Sequence, residues 1–335
     1  MAKNRVLLVL EIVLLLVLSS SLLSCGSSGT SSQATPSATA PQRLDTGPRG
    51  LPLYCNGFLA HDQQSNIYLT DSDEGYKGSH RARIDKLSPT GQLLAEWHVF
   101  TALPPGGKGP AGLAVDISGT IYVADTGDNT IKKVSATGQV LATWGKTGSA
   151  PGELSFPSGV AVDPQGNVYV ADFNNSRIQK FSSTATLLAV FGNTGSSTQR
   201  LKNPLGIAVD DQENIYVADV RNHRIVKFSP QGKFLTAWSQ AGGKQFSSGK
   251  DVAVDRAGNV YVEDVRNQRI VKLSPTGQVL TIYELPMEHG MSGITVDLQG
   301  NIYYGSFEMI GGGIKKLSPN GAVLATWPAT CPPGV

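Results

Sequence analysis

The sequence is poor in cysteine, in charge and in long apolar stretches. Three cysteines in 335 residues are too few for a chain held together by disulfides. Charged residues make up 16%, and 28 Lys and Arg against 26 Asp and Glu leave a net charge of +2. That field is too weak to hold nucleic acid. The apolar run from Val6 to Leu18 contains Glu11 and falls short of the ~20 residues a membrane-spanning helix needs. No Gly-x-Ser-x-Gly elbow, His-Glu-x-x-His helix, Cys-x-x-Cys pair or phosphate loop is present, so the chemistries they serve lack their residues. Glycine and proline are plentiful, at 38 and 19 residues, beside 40% hydrophobic residues. Such a composition argues for a turn-dense β chain with a real core, and against a helical bundle or coiled coil.

The first residues read as a targeting segment rather than as part of a fold. Lys3 and Arg5 precede the apolar run, which ends at Leu22-Leu23-Ser24-Cys25-Gly26. This ending resembles the lipobox of bacterial lipoproteins. The resemblance implies removal of residues 1–24 and lipidation of Cys25, leaving the chain on the outer side of a bacterial cell membrane or on an outer membrane. An uncleaved signal anchor would place it on the same side. Residues 25–50 are rich in Ser, Thr, Gly, Ala and Pro without apolar period. They form a flexible tether with a mean reach of roughly 25–30 Å.

From residue 51 to 331 the chain repeats itself six times, leaving 332–335 as a short tail. The third copy reads Gly159-Val160-Ala161-Val162-Asp163, a Pro-Gln-Gly turn, then Asn167-Val168-Tyr169-Val170-Ala171-Asp172. The leading aspartates are Asp62, Asp116, Asp163, Asp210, Asp255 and Asp297. Nine positions later stand Asp71, Asp125, Asp172, Asp219 and Asp264, with Ser306 in the sixth copy. A lysine then closes an Ile-x-Lys pattern at Lys86, Lys133, Lys180, Lys227, Lys272 and Lys316. Each copy holds four short runs rich in Val, Ile and Tyr, separated by Asp-x-x-Gly-Asn and Ser-Pro-x-Gly turns. Four antiparallel strands per repeat make one propeller blade, so the fold class is all-β, a six-bladed β-propeller.

Gly-Ile-Ala-Val-Asp, Asn-Ile-Tyr-Val-Ala-Asp and Arg-Asn-His-Arg-Ile-Val-Lys-Phe, within residues 206–228, resemble the NHL repeat. The resemblance implies six blades with the innermost strand first in each. In a closed ring Cys55, before the first inner strand, and Cys331, after the last outer strand, approach each other. Two thiols outside the cytosol are normally paired, so a Cys55–Cys331 disulfide is expected.

A residue present in every blade builds blades, so the repeated aspartates are expected to cap turns and pair with the recurring Lys and Arg. The tyrosines, the outer Trp97, Trp144, Phe191 and Trp238, and His223 are expected to be structural. Departures from the repeat mark a site on the face carrying the loops after the second strands and between blades. They are Tyr76 and Lys77 in an insert of blade 1; Asp128, Asn174, Arg221 and Arg266 in equivalent loops; Lys250, Asp251 and Glu263 in blade 5; and Tyr304 in blade 6. This mixed-sign rim suits an extracytoplasmic protein, peptide or glycan, bound by a monomer without a cofactor.

The alternative is a metal-assisted enzyme. Peptidyl-hydroxyglycine amidating lyases are similar NHL propellers with a three-histidine zinc site, which makes His61 and His289 the candidate ligands for zinc or calcium here. His80 would have to swing in as the third ligand, since His98 belongs to the next interblade loop. The reaction would then be that of a lyase, or of a lactone hydrolase as in the gluconolactonase propellers. The acidic first-strand ligand of those lactonases has no matching Glu at the start of blade 1.

Overall fold

A computed structural model describes residues 57–74, 80–100, 109–247, 249–286, 290–307 and 313–328. Cys25, Cys55, Cys331, Tyr76, Lys77 and His289 lie outside them. The described chain forms six four-stranded antiparallel sheets, each built from strands consecutive in sequence. These blades span Leu59–Trp97, Leu113–Trp144, Pro157–Phe191, Pro204–Trp238, Gly249–Glu284 and Gly290–Pro328. A two-stranded hairpin, Gln240–Ala241 with Lys244–Gln245, is inserted between blades 4 and 5. The first strands touch in cyclic order, and that of blade 6 meets that of blade 1. The protein is a closed six-bladed propeller.

The repeated residues explain why each blade forms. In blade 3, Asp163 Oδ1 accepts the backbone N–H groups of Gln165 and Asn167 at 3.1 and 2.8 Å. Its Oδ2 accepts the Asn167 amide at 2.8 Å and the Tyr169 hydroxyl at 3.1 Å. One side chain thus fixes the turn between the first two strands and satisfies a phenol that is otherwise fully buried. Lys180 Nζ then lies 4.8 Å from the centre of the Tyr169 ring, a cation–π contact worth about 1–2 kcal/mol when shielded from water. The same Lys–Tyr pairing occurs in all six blades, at 4.8–5.6 Å. The leading aspartates build turns, as their recurrence implied.

The apolar core lies in the seams between blades. Ala161, Tyr169 and Ile178 of blade 3 pack against Ile207, Ile215 and Val217 of blade 4, and equivalent clusters fill the other seams. Aromatic residues ending the fourth strands cross to the next blade. A Cβ on Gly138 in blade 2, whose φ is +86°, would sit 1.9 Å from Cδ1 of Trp97 in blade 1. Only glycine both adopts that backbone and leaves room for the indole. Ring closure uses the same device, with Trp327 of blade 6 seated on Gly91 of blade 1. Ser65 also donates to Gln299 across this seam at 2.9 Å.

Candidate functional site

The second set of repeated charges shapes the loop-rich face and is consumed in doing so. Asp172 receives the Arg177 guanidinium at 2.7 Å and the Ser155 N–H at 2.8 Å. Arg177 in turn donates to the carbonyls of Ser149, Ala150 and Glu153. The interblade loop is thereby clamped to its own blade. Asp219 with Arg224, and Asp264 with Arg269, repeat the clamp on the loops leading into blades 4 and 5. Blade 2 has Thr130 at the arginine's position, and Lys132, two residues on, reaches Asp125 at 3.3 Å instead.

Four of the expected rim residues are exposed on this face. Asp128 and Asn174 occupy the turns after the second strands of blades 2 and 3. Asn174 bonds the Ser155 hydroxyl at 3.2 Å. Arg221 and Arg266 sit on equivalent single 3₁₀ turns, Val220–Asn222 and Val265–Asn267. Each turn is closed by a left-handed residue, His223 or Gln268, which gives His223 its structural role. Neither Arg221 nor Arg266 has a guanidinium partner among the described residues. Lys250 is half-buried at the start of the blade 5 inner strand.

Sequence reasoning missed three exposed cations in the same sector, Arg200, Lys202 and Lys244. They lie in interblade segments that carry no repeat register, so nothing flagged them except their charge. Arg221 N–H bonds the Lys202 carbonyl at 3.3 Å, which sets the two backbones side by side. A cleft of about 480 Å³ opens here, lined by Asn175, Ser176, Arg200, Lys202 and Asn222 among others.

Asp251, Glu263 and Tyr304 are not rim residues. All three are buried in the seam between blades 5 and 6, at 4%, 0% and 1% exposure. Asp251 stands where blade 4 has Gly206, and its side chain turns toward the following blade. Its Oδ1 accepts the Val252 N–H at 2.9 Å and its Oδ2 the Ile294 N–H of blade 6 at 3.0 Å. Desolvation nevertheless pushes its pKa up to about 7. Glu263 replaces the Ala124, Ala171 and Ala218 of other blades, and its carboxyl oxygens make no well-formed hydrogen bond, only a weak backbone interaction with Gly293. Burial first, and the Asp251 charge second, raise it to about 8. Tyr304 packs with Ile294, Ile302 and Leu317 in this seam.

His61 lies on the other face, at the end of the first inner strand. Its Nδ1 is 2.9 Å from Thr295 Oγ1, and desolvation lowers its pKa below 6.5, so the ring is neutral near pH 7. His98 pairs with Glu96 at 2.7 Å. Among the described residues no three His, Cys, Asp or Glu side chains are grouped to hold a metal ion.

Six radial blades, a clamped loop face and turn-building aspartates define a six-bladed β-propeller. The NHL repeat profile matches residues 154–181 and 201–228, so the propeller carries NHL repeats in its third and fourth blades. No curated protein matches it in sequence. Among solved structures, a streptogramin B lyase is 16% identical with a TM-score of 0.59, over 83% of this chain and 84% of that one. Virginiamycin B lyase from Staphylococcus aureus is 14% identical with a TM-score of 0.59, over 84% and 88%. A chain of a nidogen/laminin complex is 18% identical with a TM-score of 0.57, over 78% and 92%. At these identities the likeness is one of fold.

Proposed function

We propose that this protein is a binding module, lipid-anchored through Cys25 outside the cytoplasm, whose loop-rich face recognises a protein, peptide or glycan. The observation that carries this reading is the pair Arg221 and Arg266. The repeated charges of blades 3, 4 and 5 on that face are spent on clamping loops, whereas these two guanidinium groups are exposed and uncommitted, Arg221 being next in sequence to Asn222 of the cleft. Guanidinium groups free to make bidentate bonds suit carboxylate, sulfate or phosphate on a partner. In this reading residues 25–50 would serve as the tether to the membrane, and a Cys55–Cys331 bond would add covalent closure to the ring.

The test is binding of the mature chain to peptide and glycan arrays, repeated with the double variant Arg221→Glu/Arg266→Glu. Loss of the bound species at unchanged melting temperature supports the reading; binding that ignores both substitutions overturns it. Two fold neighbours are lyases, and the neutral His61 ring has the protonation state of a metal ligand, so a metal-assisted lyase or lactone hydrolase is the second reading. Stoichiometric zinc after chelator-free purification, lost on His61→Ala, would establish it instead. Mass spectrometry of the mature N-terminus and non-reducing peptide mapping test the anchor and the disulfide.

A further inference from the structure

The first strands ring a central opening whose second mouth lies on the face formed by the turns between first and second strands. There the repeat is broken at two places that meet. Just before the turn aspartate, five blades carry Val115, Val162, Val209, Val254 and Val296, and blade 1 carries His61. One residue earlier, five blades carry alanine and blade 6 carries Thr295. These two exceptions are the partners of the His61–Thr295 bond. When the Thr295 hydroxyl donates to Nδ1, the imidazole proton is left on Nε2, which has no partner among the described residues.

A third residue faces the same opening, at a position that differs in every blade. Arg256 follows the blade 5 turn aspartate, is exposed, and reaches Gln63 of blade 1 at 3.4 Å. It thereby spans the mouth past blade 6, and its charge is felt at His61. The opposite wall is apolar: Val115, Ile117, Val162 and Pro164 line it, and Ile117 is 73% exposed. Together these residues bound a cavity of about 620 Å³, within the ~300–1,000 Å³ typical of small-molecule sites. Five turn aspartates, Asp116, Asp163, Asp210, Asp255 and Asp297, also line this mouth. Their carboxylates are held within their own turns, and lysines such as Lys180 and Lys272, 3.5 Å from Asp163 and 3.2 Å from Asp255, offset part of their charge. Asp297, for example, already accepts two backbone N–H groups, the Asn301 amide and the Tyr303 hydroxyl. Asp211, exposed on the blade 4 side, disfavours a polyanion.

We infer that this mouth is a binding site for a small amphipathic monocarboxylate. The apolar body lies against Ile117 and its neighbours, the carboxylate pairs with Arg256, and His61 Nε2–H donates the second bond. The site is on the opposite face from the proposed partner surface, so either can fail without the other.

Phenylbutyrate and its uncharged amide serve as probes, titrated into the full chain by calorimetry and ligand-observed NMR. The expected result is saturable one-to-one binding, with the acid about fivefold tighter than the amide, as a charge-assisted bond predicts. Arg256→Leu removes that preference. His61→Val/Thr295→Ala restores the residues of the other blades, which keeps the fold, and weakens the acid about threefold or more. Arg221→Glu/Arg266→Glu leaves both probes unaffected. The assignment falls if neither probe saturates, if Arg256→Leu keeps the preference for the acid, or if the opposite-face variant is the one that abolishes binding.

Discussion

The indole of Trp327 occupies the space beside Gly91 where a side chain would begin: a Cβ there would lie 2.4 Å from Nε1. The last blade is thus locked onto the first by shape, through described residues alone. Gly91→Ala is expected to cost about 3 kcal/mol or more, from left-handed strain plus displacement of the indole. Gly152→Ala is the control, because Gly152 shares the positive φ of +85° but has nothing within 4 Å, and it should lose only about 1 kcal/mol. Urea melts of the two variants check this, and equal losses would remove Trp327 from the account of closure.

The seam between blades 5 and 6 should weaken as pH rises. Asp251 and Glu263 have folded pKa values of about 7 and about 8, both raised by burial above their ordinary values of 3.8 and 4.5. The folded state therefore binds more protons than the unfolded one between those limits, and the stabilisation is lost as pH climbs through 7 and 8. Glu263→Ala, the residue of blades 2 to 4, should leave stability nearly unchanged at about pH 5 and raise it by about 1 kcal/mol or more at about pH 9. A melting-temperature gain of equal size at both pH values would contradict the buried-carboxylate explanation.

Blade 1 concentrates three carboxylates on one guanidinium. Arg83 stands 2.7 Å from Asp71, 3.1 Å from Asp85 and 3.1 Å from Glu96. Desolvation outweighs the cation at Asp85, whose pKa is pushed up to about 8. Arg83→Met strands this group of acids, and a loss of roughly 3–5 kcal/mol is expected. Lowering the pH should recover part of the loss in a thermal melt, because protonation relieves the stranded charge. A pH-independent loss would mean that Arg83 acts through packing.

Ala185 offers a stabilising change. The hairpin turns of the other five blades place Gly91, Gly138, Gly232, Gly277 and Gly321 at this position, whereas Ala185 holds a φ of +67°. Relief of left-handed strain is worth about 1–2 kcal/mol, offset in part by the added freedom of the unfolded chain. Ala185→Gly should therefore gain about 0.5–1 kcal/mol in equilibrium unfolding. A loss would show that the alanine methyl makes a contact worth more than the strain.

The blades were legible in the sequence because the residues that make them recur: the turn aspartate, its glycine, the tyrosine it binds and the lysine over the ring. The site was less legible, and Glu263 and Tyr304 show why. Departures from a repeat were read as exposure, yet second strands such as Val260–Asp264 are buried at every position, because a blade lies on each side. A substitution inside such a strand changes a seam; only one beyond its end, such as Arg221 or Arg266, changes a surface. Asp251 failed for a related reason, since the glycine position it fills faces the neighbouring sheet. Arg256 was hidden because the position after the turn aspartate has no consensus among the blades, and His61 stood out in the sequence only as a candidate metal ligand.

Blade 1 also carries a lesson about tolerance. Its second and third strands, Ile67–Glu74 and His80–Leu87, are eight residues each where most blades have five, and the extra pairs run from Ser72↔Ala82 to Glu74↔His80. The register below is that of the other blades, with Tyr68 opposite Lys86. Extension at this hairpin end is therefore mechanically isolated from the turns that hold the circle together, so foreign peptide could be grafted there, or natural specificity could drift, without unseating the scaffold.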